Sequence, residues 1–384
     1  MKNCRIAILG STGSIGLNTL KVVDHNPQRF KVVALSAYSN FKLLESQIRK
    51  YKPSYVAVGQ EGLAYFKRAG IKGVKFYHAQ DCAQLASLKE VDVVVLAMSG
   101  TGALGPFLEA LRAGKTVAPA NKEALVIAGD LIMEEARRHK ARIIPIDSEQ
   151  SAIFQCLEAQ GSKPQFVHLT ASGGPLRKIP SKDFKRMKPK DILRHPRWKM
   201  GPKITVDSAT LMNKGFEVIE AKHLFNLRYN QIKVLVHPES IVHSLVEFVD
   251  GSLLAQLAVT DMRLPIQYAL TYPERLPTGL AGLDLTQIKS LNFEEPDLKR
   301  FPSLGLAFEA ARLAGTMPAV LNAADEEAVG AFLRGKIDFI SIYKVVEKVV
   351  LRHTIVKNPS LQAILQADQW ARQEAQDILE KLCR

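Results

Sequence analysis

Cys4-Arg5-Ile6-Ala7-Ile8-Leu9-Gly10-Ser11-Thr12-Gly13-Ser14-Ile15-Gly16 opens the chain. An apolar run of strand length, 5–9, leads straight into three glycines spaced G-x-x-G-x-x-G and then into a helical run. Glycines at such a turn let the backbone bend sharply and approach a pyrophosphate, whose charge is met by amides at the helix N-terminus. A plain structural turn would use the same residues, and the spacing is not the usual G-x-G-x-x-G. The strand–turn–helix context favours a dinucleotide site.

Outward from this turn, strand-like runs at 5–9, 32–37, 55–58, 91–97, 116–118 and 142–146 alternate with helical stretches. That alternation predicts parallel strands with crossover helices: an α/β, Rossmann-like, doubly wound domain over residues 1–150. The run 32–37 ends in Ala37-Tyr38-Ser39-Asn40, without the Asp or Glu that an NAD-type site uses to hold a ribose 2′-hydroxyl. Ser39, Asn40 and Lys42 could instead meet a 2′-phosphate, which points to NADP.

Beyond Asp147 the pattern changes. Runs at 166–170, 203–206 and 233–237 look like further strands, and 240–249 and 252–259 flank Asp250-Gly251, a favoured two-residue hairpin turn. This predicts a central α+β domain, 151–270, on a largely antiparallel sheet. Prolines 273, 277, 296 and 302 mark a linker at 271–302. Ile342, Val345, Val346, Val349 and Val350 then follow helical spacing, so 303–384 reads as a helical bundle.

The chain has 384 residues, 47% hydrophobic and 23% charged, and no run near the ~20 apolar residues of a membrane span. No signal peptide is expected from the strand-like run that follows Met1, and Cys4, Cys82, Cys156 and Cys383 form no C-x-x-C pair. A cytoplasmic protein with reduced thiols is expected. The net charge of +14 suits anionic small molecules. Between residues 177 and 203, Lys and Arg outnumber Asp and Glu eleven to two, but no zinc-knuckle or RNP-like motif accompanies them. Neither nucleic acid nor a membrane is expected as a partner.

Asp147-Ser148-Glu149 follows the run 142–146. On an extended chain the two acids point to one side, at the carboxyl end of a strand, where open α/β sheets bind ligands. Hard oxygen donors favour Mg²⁺ or Mn²⁺; alone, the pair could equally be a helix cap with one ion-paired acid. Residues 203–217 add Asp207-Ser208 at a strand end, then Asn213, Lys214 and Glu217 on one helical face. Hydroxyl, amide and ammonium suit a phosphate, and Glu217 could complete a three-carboxylate site. Ser172-Gly173-Gly174 offers a nest of backbone amides for an anion. His195-Pro196-Arg197-Trp198-Lys199-Met200-Gly201 puts a tryptophan among charges, which reads as a lid over a site. His237 and His243 around Glu239 lack the H-E-x-x-H spacing of a zinc site.

Taken together, GSTGSIG (10–16), ANKEAL (120–125), IDSEQSAIFQ (146–155), SGGP (172–175), HPRWKMG (195–201) and KITVDSATLMNKGFEVIEA (203–221) closely resemble the 1-deoxy-D-xylulose 5-phosphate reductoisomerase family, in order and over nearly the whole chain. The resemblance implies NADPH held by Thr12, Gly13, Ser14, Ile15, Asn121, Glu123 and Gly201, alongside Ser39 and Asn40. It implies a divalent metal on Asp147, Glu149 and Glu217. Lys122, Ser148 and Glu149 would meet the hydroxyketone end of a phosphorylated sugar. Ser172, His195, Ser208, Asn213 and Lys214 would line the rest of its site, beneath Trp198. Lys122 and the three acids would form the catalytic group, in a homodimer with three domains per chain. Tyr38-Ser39 stands where many relatives carry a glycine and a basic residue. A second oxidoreductase reading comes from residues 113–123, similar to the helix–strand–Asn-Lys segment of homoserine dehydrogenases, which does not account for the acids and SGGP together.

Overall fold

The computed structural model describes residues 3–160, 163–193 and 201–382. Two compact units form: residues 1–124, 130–151 and 261–282 in the first; 125–129, 152–260 and 283–384 in the second. Residues 261–282 thus join the first unit, and the expected central and C-terminal segments share the second.

In the first unit, β1 (Cys4–Leu9), β2 (Phe30–Ala37), β3 (Tyr55–Val58), β4 (Lys75–His78), β5 (Val93–Leu96), β6 (Thr116–Pro119) and β7 (Arg142–Ile143) form one parallel sheet, ordered β4-β3-β2-β1-β5-β6-β7. The α/β reading of the alternation holds. Ile6, Ala7, Ile8 and Leu9 are fully buried, as expected for a strand covered on both faces. The strand order reverses between β1 and β5, so the crevice at their carboxyl ends is where such sheets bind ligands. The glycine turn sits there.

One strand had no clear signal. β4 is a four-residue, half-exposed edge strand, Lys-Phe-Tyr-His, with no apolar run to mark it. β7 is also shorter than the run 142–146, which continues as irregular chain after Ile143.

Close packing fixes the glycine turn. A Cβ at Gly16 would fall 2.4 Å from the Gly10 carbonyl oxygen and 2.5 Å from Ser11 Cα, both immovable backbone. Ser11 is buried, and its hydroxyl donates to Gln47 Oε1 at 2.7 Å while Gln47 Nε2 donates to the Ser11 carbonyl at 3.0 Å. Gly16→Ala is therefore expected to destabilise the protein by roughly 1–3 kcal/mol, the usual range for overpacking. The check is the urea midpoint of the variant, and an unchanged midpoint would mean the turn opens freely.

In the second unit, β8 (Phe166–Ala171), β9 (Ile232–Val236), β10 (Val242–Glu247) and β11 (Leu253–Leu257) form a sheet ordered β11-β10-β8-β9, antiparallel except for β8–β9. The hairpin differs in detail from a two-residue turn. Phe248 N donates to the Ser252 carbonyl and Gly251 N to the Phe248 carbonyl, so three residues lie inside the closing pair, with Gly251 at φ 82°. This is the three-residue loop with glycine in the left-handed position.

Residues 203–206, expected as a strand, belong to the helix Pro202–Thr210. Lys-Ile-Thr-Val alternates like a strand, yet Pro202 occupies the first helical turn, where its missing N–H is harmless, and Thr205, Val206, Ala209 and Thr210 are buried. The helices Pro302–Leu313, Met317–Leu333, Phe339–Arg352 and Leu361–Leu382 form the C-terminal helical region. The expected stripe Ile342, Val345, Val346, Val349 and Val350 is buried. Among the described residues no helix is long and apolar enough to cross a membrane.

Candidate active site

At the carboxyl end of β1, the helix Ser14–His25 begins with Gly13 as its cap, without a capping side chain and with no acid in its first turn. Its first amides are thus suited to an anion rather than spent on a local carboxylate. Gly13 and Ser14 are exposed, Thr12 and Ile15 half-buried. At the end of β2, Tyr38, Ser39 and Asn40 are all exposed, and Asn40 Oδ1 also caps the helix Phe41–Tyr51 by accepting from Leu43 N at 3.3 Å.

Asn121 is buried and already committed. Its Nδ2 donates to the Met98 and Gly100 carbonyls at 2.9 and 3.1 Å, and its Oδ1 accepts from Ala124 N at 3.0 Å. It therefore pins the loop after β5 to the start of the helix Glu123–Arg138, whose first turn carries half-buried Glu123. Next to it, buried Lys122 reaches Asp147 Oδ2 at 2.7 Å.

Asp147 and Glu149 do not converge as neighbours on an extended strand. Ser148 starts a helix, Ser148–Gln160, which places Glu149 in its first turn, where the helix dipole favours an acid. Ser148 Oγ donates to Glu149 Oε2.

Glu217, by contrast, sits in the helix Met212–Leu224 as the spacing predicts. Asn213 Nδ2 donates to Glu217 Oε1 at 2.6 Å and Lys214 forms an ion pair with Glu217 Oε2. Lys214 and Glu217 are almost completely buried. Asp147, Glu149 and Glu217 each offer a carboxylate oxygen that could ligate a metal ion.

Ser172 Oγ accepts from Gly174 N at 3.2 Å. A Cβ at Gly174 would fall 2.4 Å from the Ser208 carbonyl oxygen, so only glycine lets this turn lie against the helix carrying Ser208. Ser208, expected at a strand end, is a half-buried helical residue near the end of Pro202–Thr210. Gly201 caps that helix, its carbonyl accepting from Thr205 N and Oγ1. His195 and Trp198 lie outside the described residues. His237 is a structural group: Nδ1 is 2.8 Å from the Asn292 carbonyl oxygen and Nε2 accepts from Ile241 N and Val242 N.

Three features escaped the residue-by-residue reading: Gln47 as the anchor of the glycine turn, Gly174 as the contact to Ser208, and a buried ion group of Lys203, Asp207 and Asp325. Only the last had a sequence signal, since Asn322 and Asp325 interrupt an otherwise apolar stretch of Met317–Leu333.

Residues 6–129 match the family described as 1-deoxy-D-xylulose 5-phosphate reductoisomerase, 143–225 its C-terminal domain, and 257–374 the DXP reductoisomerase C-terminal domain. A protein named 1-deoxy-D-xylulose 5-phosphate reductoisomerase from Pelotomaculum thermopropionicum is 50% identical over 100% of both chains. One of the same name from Heliobacterium modesticaldum is 53% identical over 97% of this chain and 96% of its own. A crystal structure of DOX-P reductoisomerase in complex with NADPH, fosmidomycin and magnesium superposes with a TM-score of 0.93 at 39% identity, covering 99% of each chain. The Zymomonas mobilis enzyme in complex with NADPH gives 0.92 at 39% identity, covering 99% of this chain and 100% of its own. The chain belongs to the 1-deoxy-D-xylulose 5-phosphate reductoisomerase family.

Proposed function

We propose that this chain converts 1-deoxy-D-xylulose 5-phosphate to 2-C-methyl-D-erythritol 4-phosphate with NADPH and a divalent cation, Mg²⁺ or Mn²⁺, a step that supplies isoprenoid precursors. It is an NADPH-dependent oxidoreductase, and the homoserine-dehydrogenase reading is not favoured. The observation that carries the assignment is the carboxylate set Asp147, Glu149 and Glu217, with Lys122 paired to Asp147 and Lys214 to Glu217. An all-carboxylate donor set fits a hard divalent ion.

NADPH fits the glycine turn: Thr12, Gly13, Ser14 and Ile15 present the uncapped helix start to its pyrophosphate, with Asn121, Glu123 and Gly201 as further contacts. Ser39 and Asn40 are exposed donors for its 2′-phosphate. Asp147, Glu149 and Glu217 hold the metal, which when bound supplies Lewis-acid stabilisation of developing negative charge on the sugar's oxygens. Lys122, paired with Asp147, is an ammonium donor to the hydroxyketone end. Ser148 and Glu149 orient the same end. Ser172, Ser208, Asn213 and Lys214 bring hydroxyl, amide and ammonium donors to the phosphate, with His195 and Trp198 assigned to the same site by resemblance. Residues 1–150 serve the nucleotide and carry Lys122, Asp147, Ser148 and Glu149 at their end, 151–270 carry the remaining sugar and metal residues, and 303–384 support them beyond the linker 271–302. We place the enzyme in the cytoplasm as a homodimer.

The test is NADPH oxidation with 1-deoxy-D-xylulose 5-phosphate, with and without Mn²⁺. Turnover is expected only with the metal. NADPH is expected to exceed NADH in kcat/KM by at least ~10-fold, about 1.4 kcal/mol. No turnover would overturn the assignment, and equal efficiencies would show that Ser39 and Asn40 do not read the 2′-phosphate.

A further inference from the structure

Asp325 is fully buried within the largely apolar helix Met317–Leu333. Its carboxylate lies 3.1 Å from Lys203 Nζ, and the same ammonium is 2.7 Å from the buried carboxylate of Asp207. Lys203 also lies over the Phe216 ring, 4.6 Å from its centroid. Lys203 and Asp207 belong to Pro202–Thr210 and Phe216 to Met212–Leu224, so one ammonium ties three helices together.

Packing alone does not account for this group. Two carboxylates share one ammonium, and burial pushes the Asp325 carboxyl above the usual range against the pull of Lys203. Apolar side chains of similar volume often stabilise such a place as well or better. The ion group does fix geometry. Ser208 follows Asp207 directly, and the helix ends at Leu211, whose φ of 61° is a conformation leucine rarely adopts. Thr210 Oγ1 clasps this elbow, donating to the Asp207 carbonyl at 3.1 Å and accepting from Met212 N at 3.2 Å. Ser208 lies on one side of the elbow, Asn213 and Lys214 on the other.

We propose that Asp325 is a positioning residue for the phosphate end of the substrate site: through Lys203 it locks the helix Pro202–Thr210 and so sets Ser208 relative to Asn213 and Lys214. The proposal rests on the phosphate role given above to those three residues. It assigns the helix Met317–Leu333 an indirect part in substrate recognition, exerted through Lys203.

Asp325→Asn keeps the shape and removes the charge. It is expected to raise KM for 1-deoxy-D-xylulose 5-phosphate ~10-fold while kcat and the NADPH Kd stay within ~3-fold, because misplaced ligands weaken binding of the phosphate throughout the reaction. The triple variant Lys203→Met/Asp207→Leu/Asp325→Leu replaces the whole ion group by apolar packing. It is expected to melt at or above the parent's Tm yet keep the raised KM. An unchanged KM in Asp325→Asn, or a triple variant that recovers KM together with Tm, overturns the proposal. Should Asp325→Asn not fold, the triple variant decides alone: a parental KM overturns and a raised KM supports. A parent enzyme that failed to prefer the phosphorylated over the unphosphorylated sugar would instead remove the phosphate reading, and this proposal with it.

Discussion

Glu217→Gln is expected to lose at least ~100-fold in kcat with 1-deoxy-D-xylulose 5-phosphate, and excess Mn²⁺ or Mg²⁺ is expected to restore only part. Loss of a residue that merely supports a metal ligand typically costs ~10–100-fold, so loss of a ligand itself starts from the upper end. Gln keeps an oxygen for the 2.6 Å hydrogen bond from Asn213 Nδ2, so the local helix geometry survives. What disappears is the negative charge opposite the buried ammonium of Lys214. That imbalance destabilises the protein, and a melting curve measured beside the kinetics separates lost folding from lost chemistry. Glu217→Asp, which keeps the charge on a shorter arm, provides the companion: it should retain the ion pair better than Gln and still turn over slowly. A Glu217→Gln variant fully active in EDTA would refute the metal assignment.

Lys214→Ala is expected to lower kcat/KM for the phosphorylated substrate ~10- to ~100-fold, since hydrogen bonds to charged groups contribute about 1.5–3 kcal/mol. The same change also strips Glu217 of its ammonium partner, a disturbance that acts on any substrate. The two effects separate by crossing the variant with 1-deoxyxylulose, which brings no phosphate. The shared fall belongs to Glu217, and the extra fall seen only with the phosphorylated sugar measures the Lys214–phosphate interaction directly. If both substrates lost the same factor, Lys214 would act on Glu217 alone and would not be a phosphate ligand.

Local sequence determined the parts of this protein whose physics is local. The β1 run, the glycine turn and the following helix carry their signal within a few residues, and buried parallel strands announce themselves as apolar runs. The face of Met212–Leu224 that gathers Asn213, Lys214 and Glu217 follows from helical spacing alone. Tertiary structure decided the rest. Residues 203–206 alternate like a strand, but Pro202 and the burial of Thr205, Val206 and Ala209 make them a helix. Asp147 and Glu149 follow a strand-like run as if they were strand neighbours, whereas a helix beginning at Ser148 orients Glu149. β4 gains its pairing only from β3 at the sheet edge, with little apolar pattern of its own. Lys203 and Asp207 pair four residues apart on one helix, but Asp325 joins them across a separation in sequence that no periodicity spans. A charge buried by packing against distant helices marks itself locally only as a break in an apolar run, because its partner lies more than a hundred positions away.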